Sequence, residues 1–259
     1  MAKNYRLPVH NGVALSAFRA LSCGLFLTLM SGGAIANESL NGQSSPTFRE
    51  FEATYNASTM GMALDLKRTL TKEEDVYTLS SRGKNILINM TESAAFRISE
   101  GRVEGIRFDS KVKSLKTTKR SVRFNRADGV IDSMKRGDWT QHEWAPHILD
   151  RFSQQQQLRL TLMSSEEPPQ TLSFTVVDGP KVSEKRWERA PDEVIQTPMG
   201  AIDTVKYNAV HSNPSKRASE IWLAPKLDFL MIKTVHVERS STITVGLKDL
   251  AWLDEKPSD

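Results

Sequence analysis

Glu50-Phe51-Glu52-Ala53-Thr54-Tyr55, followed by Met60-Gly61-Met62-Ala63-Leu64-Asp65-Leu66-Lys67, decides the fold. Phe51, Ala53 and Tyr55 alternate with Glu50, Glu52 and Thr54. Met60, Met62, Leu64 and Leu66 form a second apolar row, interleaved with Asp65 and Lys67. A period of two puts each row on one face of a strand, half buried and half wet.

The same rhythm extends outward. Short strands are predicted at Val76–Ser80, Ile86–Met90, Ala95–Ser99, Val103–Phe108, Val112–Ser114, Ser121–Asn125 and Val130–Met134. Gly83, Gly101 and Gly105 punctuate them, and Asp128-Gly129 is a hairpin signal. Further on, strands are predicted at Leu172–Val177, Lys181–Glu188, Ala201–His211, Ala218–Leu223, Phe229–Glu238 and Thr242–Leu253. No helix separates successive strands, which argues for antiparallel meanders and against βαβ units.

One segment breaks the rhythm. Ile148, Leu149 and Phe152 have helical spacing after Pro146, so a helix is predicted from Pro146 to Gln157. It either continues to Met163 or gives way to a strand, because Leu158, Leu160 and Leu162 alternate. The fold class is therefore all-β: a curled antiparallel sheet, or an incomplete or closed β-barrel, with one short helix. A sheet of this many strands must curl, close or split. Residues 48–253 read as a single β-rich domain, with a tail at 254–259.

Before this domain, Lys3, Arg6 and Arg19 precede the apolar run Leu21–Met30, and Ala34-Ile35-Ala36 is an A-x-A site. That is the layout of a signal peptide over residues 1–36, too short to span a membrane. The expectation is an exported, periplasmic protein cleaved after Ala36, with a disordered polar leader at 37–47. Cys23, the single cysteine of the 259 residues, raises the alternative of a lipoprotein, but Arg19 stands where that signal needs apolar residues. Removing 1–36 reduces the net charge from +4 to +1, so the basic pI is no nucleic-acid signature. It also leaves no thiol.

The second half carries recognisable markers. Asp150-Arg151-Phe152-Ser153 opens the helix, and Val177-Asp178-Gly179 forms the next turn. Thr197-Pro198-Met199-Gly200 precedes Asp203-Thr204-Val205-Lys206, and Ile221-Trp222-Leu223-Ala224-Pro225 comes before a last hairpin. In this order, over roughly residues 48–250, the chain resembles the exported proteobacterial family catalogued as domain of unknown function 3108. The resemblance implies a strongly curved sheet or barrel and names no chemistry. The chain departs from the family pattern at Leu230-Met231, where Pro-Val is usual, and at Arg239-Ser240-Ser241, where a glycine turn is usual.

Catalytic and metal motifs are not found. His142 and His147 are i, i+5 with Pro146 between, the wrong spacing for zinc on a helix. There is no Gly-x-Ser-x-Gly elbow, Ser-x-x-Lys pair or phosphate loop. No catalytic residue, metal ligand or cofactor is assigned, and neither nucleic acid nor a transmembrane span of the mature chain is expected.

Two features remain. Lys111, Lys113, Lys116, Lys119, Arg120, Arg123 and Arg126 form a run free of acidic residues between Asp109 and Asp128. It reads as a basic surface for anionic envelope groups, or as a solvated hairpin edge. Met60, Met62, Leu64, Trp139, Phe152 and Trp222 are candidates to line an apolar hollow between helix and sheet, or to be ordinary core. The expectation is a non-enzymatic envelope protein binding an apolar or lipid-like component. The alternatives are an assembly protein acting through an edge strand or the basic face, and a hydrolase with a dispersed site.

Overall fold

The two alternating stretches pair with each other. In the computed structural model, which describes residues 46–59, 62–239 and 241–254, they are β1 (Phe51–Thr59) and β2 (Met62–Glu73), antiparallel with Phe51 opposite Leu70 and Tyr55 opposite Leu66. The signal peptide, the leader up to residue 45, Met60 and the tail from residue 255 lie outside the described residues.

The meander continues through β3 (Val76–Lys84), β4 (Asn89–Ser99), β5 (Arg102–Lys113), β6 (Thr117–Asn125), β7 (Val130–Lys135), β8 (Asp138–Glu143) and β9 (Ile148–Leu149). The helix α1 (Arg151–Met163) follows, then β10 (Thr171–Asp178), β11 (Lys181–Thr197), β12 (Gly200–Ala209), β13 (Arg217–Ala224), β14 (Leu230–Glu238) and β15 (Ser241–Trp252). Among the described residues these strands make one sheet, in the order β8 through β1, then β15 back to β9. Only the short β9 pairs parallel, with β10; every other ladder is antiparallel.

The sheet is curled but not closed by a ladder. Its two edge strands, β8 and β9, are joined by only residues 144–147, so the ends of the sheet lie close together. Side chains bridge the seam: Lys135 to Asp178 at 2.7 Å, Arg120 to Asp178 at 3.1 Å, and Gly179 N–H donating to Ser133 Oγ at 2.8 Å. Gly179 has φ +61°, and a Cβ there would lie 2.6 Å from Lys135 Cβ, so only glycine fits this approach.

Cross-strand partners share a face. Phe51, Leu70, Leu79, Ala94, Phe108 and Val122 therefore form one row across six strands, and each is buried. α1 lies against this concave face. Phe152 meets Phe108 with ring centroids 5.5 Å apart, and Gln157 Oε1 accepts from Val103 N–H at 2.7 Å.

The structure corrects several sequence-based boundaries. Ile148 and Leu149 form a strand, not the first helical turn. Asp150 is the N-cap, extended at φ −83° and ψ 177°, and accepts from Phe152 and Ser153 N–H at 2.7 and 3.0 Å. Leu158, Leu160 and Leu162 are helical, and all are buried because α1 is embedded on more than one side, which hides its period. Ile86 and Leu87 are a turn rather than a strand, since Asn85 Oδ1 accepts from Leu87 and Ile88 N–H at 2.9 and 2.8 Å. Val112 and Lys113 are the last residues of β5 and do not start a strand. β11 runs past Pro191 through a register shift between Ala190 and Glu193, the kind of irregularity that accommodates proline in a sheet.

Candidate functional site

The apolar hollow expected between helix and sheet is filled. Between α1 and the concave face remains a void of about 10 Å³. Such a space holds a single small species and no acyl chain. Of the residues expected to line a hollow, Phe152 is packed core, with Arg68 5.3 Å over its ring. Met62 and Leu64 are half-buried on β2, opposite Thr59 and Ala57. Trp139 lies on the edge strand β8 and is 56% exposed. Trp222 is buried but cannot face α1, because Ile221 and Leu223, its neighbours in β13, line the inner void. Its Nε1–H donates to Glu193 at 3.0 Å, and Lys206 and Lys233 cover its ring at 4.5 and 4.7 Å. The structure thus does not bring these residues together around one space.

The basic run divides by strand face. Arg120 points to the concave side and bonds Asp178. Arg123 bonds Asp109 at 2.9 Å, and Arg126 reaches Glu104 at 3.4 Å. Burial alone would raise the Asp109 carboxyl, but hydrogen bonds from Ser121 and Arg123 and the charges of Arg123 and Arg107 hold its pKa below the ordinary value. Lys111, Lys113, Lys116 and Lys119 are exposed and have no ion pair among the described residues.

These four lysines join a larger feature that the sequence reading missed. Arg82, Thr91, Lys111 and Lys119 form one cross-strand row over β3–β6, and Lys84, Asn89, Lys113 and Thr117 the next. Arg136 N–H donates to Lys119 O at 3.0 Å, which puts the β7 end beside these rows. Arg82, Lys84 and Arg136 are also exposed and without an ion pair among the described residues. The adjoining hairpin tips carry Ile86, Leu87 and Leu115, exposed by 97, 57 and 104%. Bare aliphatic side chains thus project from a rim ringed with free cations, with Asp138 in the β7–β8 turn as its acidic neighbour. The signal was available in sequence: alternation puts Arg82 and Lys84, like Lys111 and Lys113, on the face opposite the buried residues.

Two other polar groupings lie on and beside β11–β14. Ser219 Oγ lies 2.7 Å from His236 Nδ1 and 3.1 Å from His211 Nε2. Glu238 stands 3.8 Å from His236 Nε2 but bonds Arg217 at 2.9 Å. A relay needs the carboxylate hydrogen-bonded to the imidazole, and 3.8 Å is too long for that. A surface groove of about 390 Å³ beside Pro191 is lined by Gln170, Arg189 and Asp192, and its charges pair with each other at 3.0 Å. Among the described residues no three His, Asp or Glu side chains group as metal ligands, and no helix is long and apolar enough to cross a membrane.

The family model described as protein of unknown function DUF3108 matches residues 50–245. Among solved structures, the chain is similar to a β-barrel-like protein of the DUF1849 domain from Brucella abortus, with TM-score 0.54, 9% identity, and coverage of 80% of this chain and 99% of that one. That likeness concerns the fold alone. A candidate lipoprotein from Parabacteroides distasonis matches with TM-score 0.30, 9% identity, and coverage of 80% and 97%. A candidate exported protein with a YmcC-like fold from Bacteroides fragilis matches with TM-score 0.29, 12% identity, and coverage of 80% and 97%. No curated protein matches the chain at a significant level.

Proposed function

The chain belongs to the DUF3108 family of proteins of unknown function, and from that premise we propose a non-enzymatic, periplasmic protein that docks on an anionic lipid surface through the β3–β6 rim. The observation that carries this reading is the ring of unpaired cations around Ile86, Leu87 and Leu115. Charge draws the rim to phosphate headgroups, at about 1 kcal/mol per Lys or Arg near the surface. The aliphatic tips then enter the headgroup layer, where burying them is favourable. The filled concave face favours a surface mode of lipid contact over carriage of an acyl chain inside the sheet.

The local chemistry argues the same way. Arg107 and Arg123 oppose each other across β5–β6, and Asp109 bonds both. Lys111 and Lys119 oppose each other four residues along, with no carboxylate bound to either among the described residues. Like charges directly opposite are destabilising, so folding alone does not call for this pair.

Co-sedimentation with vesicles tests the proposal. Vesicles containing phosphatidylglycerol are expected to bind the protein, pure phosphatidylcholine vesicles to leave it in solution, and salt to weaken the binding. The triple change Lys111→Ser, Lys113→Ser and Lys119→Ser is expected to reduce affinity on the order of a hundredfold. Equal binding to both vesicle types, or binding of cell-wall polymer without lipid binding, would overturn it.

A further inference from the structure

The void beside α1 is small, but its lining is unusual. Arg159 is buried, with Nε donating to Asp228 O at 3.2 Å and Nη1 to Gln156 Oε1 at 3.0 Å. Its Nη2 has no hydrogen-bond partner. No carboxylate forms an ion pair with it: the Asp228 side chain is bound by Arg49 at 2.8 Å and acts on Arg159 only as a nearby negative charge. The Phe48 and Phe51 rings lie 4.8 and 5.6 Å from the guanidinium carbon, which offsets part of the charge. Burial lowers the Arg159 pKa to about 10, leaving it a cation at neutral pH.

A second guanidinium borders the same space. Arg68 donates to Gln155 Oε1 at 3.3 Å and lies over Tyr55 and Phe152. The remaining polar groups at the void are Tyr55, whose hydroxyl donates to Met231 O at 2.9 Å, and the amides of Gln155 and Gln156. Phe51, Ile221, Leu223, Leu230 and Met231 complete the wall. Two cations therefore border a narrow, partly open space that no Asp or Glu lines. Asp228 offsets the buried Arg159 charge only in part, and a bound anion would remove the remaining cost of burying it.

We infer that this void is an anion site, built by Arg159 and Arg68 for a single monatomic anion of chloride size. The unpartnered Nη2 of Arg159 supplies one donor and the Arg68 guanidinium the opposing charge. The space excludes phosphate, sulfate and a lipid headgroup, so the site is separate from the rim and independent of membrane docking.

Two measurements on the full-length exported protein test this. The first is anomalous scattering from crystals grown in sodium bromide, where a peak between Arg159 and Arg68 is expected. An ordered water there with no anomalous signal would overturn the proposal. The second is the melting temperature in sodium chloride against sodium gluconate at constant ionic strength. Saturating chloride is expected to raise it by roughly 5–10 °C at a hundredfold excess over Kd. Arg159→Met and, separately, Arg68→Met should abolish that difference. Identical melting in the two salts would sink the idea whether or not either variant folds.

Discussion

Lys111 and Lys119 stand directly opposite each other on β5 and β6, both exposed and neither ion-paired among the described residues. Arg107 and Arg123 have the same relationship four positions away but share Asp109. The contrast makes stability and docking oppose each other at one site. Lys119→Glu is expected to stabilise the protein by about 0.5 kcal/mol in urea unfolding, by turning a repulsion into a cross-strand pair. The same change should weaken binding to phosphatidylglycerol vesicles.

The hairpin tips give a charge-neutral test. Leu115→Ser removes an aliphatic side chain that touches little in the folded state, so unfolding should move by less than about 0.5 kcal/mol. Vesicle affinity should nevertheless fall several-fold. Unchanged affinity would mean that the lysines act without insertion.

Phe152→Ala addresses the helix. The ring is packed against Phe108 and Arg68 rather than lining open space, so its loss should cost about 3 kcal/mol. Thermal unfolding should show a large drop while the vesicle affinity of the folded fraction stays the same.

Glycine at the seam can be tested against a matched control. Gly179→Ala and Gly101→Ala both force a side chain into positive φ, +61° and +71°. That alone costs about 1 kcal/mol. Nothing lies within 4 Å of a Cβ at Gly101, whereas at Gly179 the Lys135 side chain is 2.6 Å away. Gly179→Ala should therefore be the more destabilising of the two by at least about 1 kcal/mol in parallel urea titrations.

The same seam predicts a pH dependence. Burial would raise the Asp178 carboxyl, but the Lys135 hydrogen bond and the charges of Arg120, Lys135 and Arg151 hold its pKa below the ordinary value. A depressed folded-state pKa adds stability above the unfolded value, near 3.9, which is lost as pH falls through the folded pKa. Acid should thus loosen the seam below about pH 4. Asp178→Asn should flatten that part of the stability–pH profile at a cost of about 1 kcal/mol at neutral pH, given partial solvent screening.

Legibility in the sequence followed locality. The apolar row of Phe51, Ala53 and Tyr55 reports a strand because its partners are its own neighbours in period. Thr197-Pro198-Met199-Gly200 forms the β11–β12 turn, with Thr197 Oγ1 accepting from Met199 N–H at 3.1 Å. Pro225 ends β13 as a residue without an N–H must. The helix start was misplaced because Ile148 and Leu149 fit helical spacing while pairing with β10, a contact set by distant residues. The hollow failed for a similar reason: whether α1 fills a curved sheet depends on volumes that no local pattern reports. The meeting of Arg159 with Arg68 likewise leaves no trace in spacing. The lysine rim sat between these cases, visible as a charge run yet divided correctly only once strand faces were known.

The pairing of β1 with β15 also has a consequence in time. Phe51 faces Trp252, so a central ladder joins the two extremes of the described chain. The two wings, β1–β8 and β10–β15, are each built from neighbouring segments and close short loops, but the step that unites them closes the longest loop available. Such long-range pairing is slow, on the order of milliseconds to seconds. Until it occurs, the facing edges of β1 and β15 are bare templates for any other extended chain. A polypeptide emerging N-terminus first must carry the bare edge of β1 until nearly all of the domain has arrived.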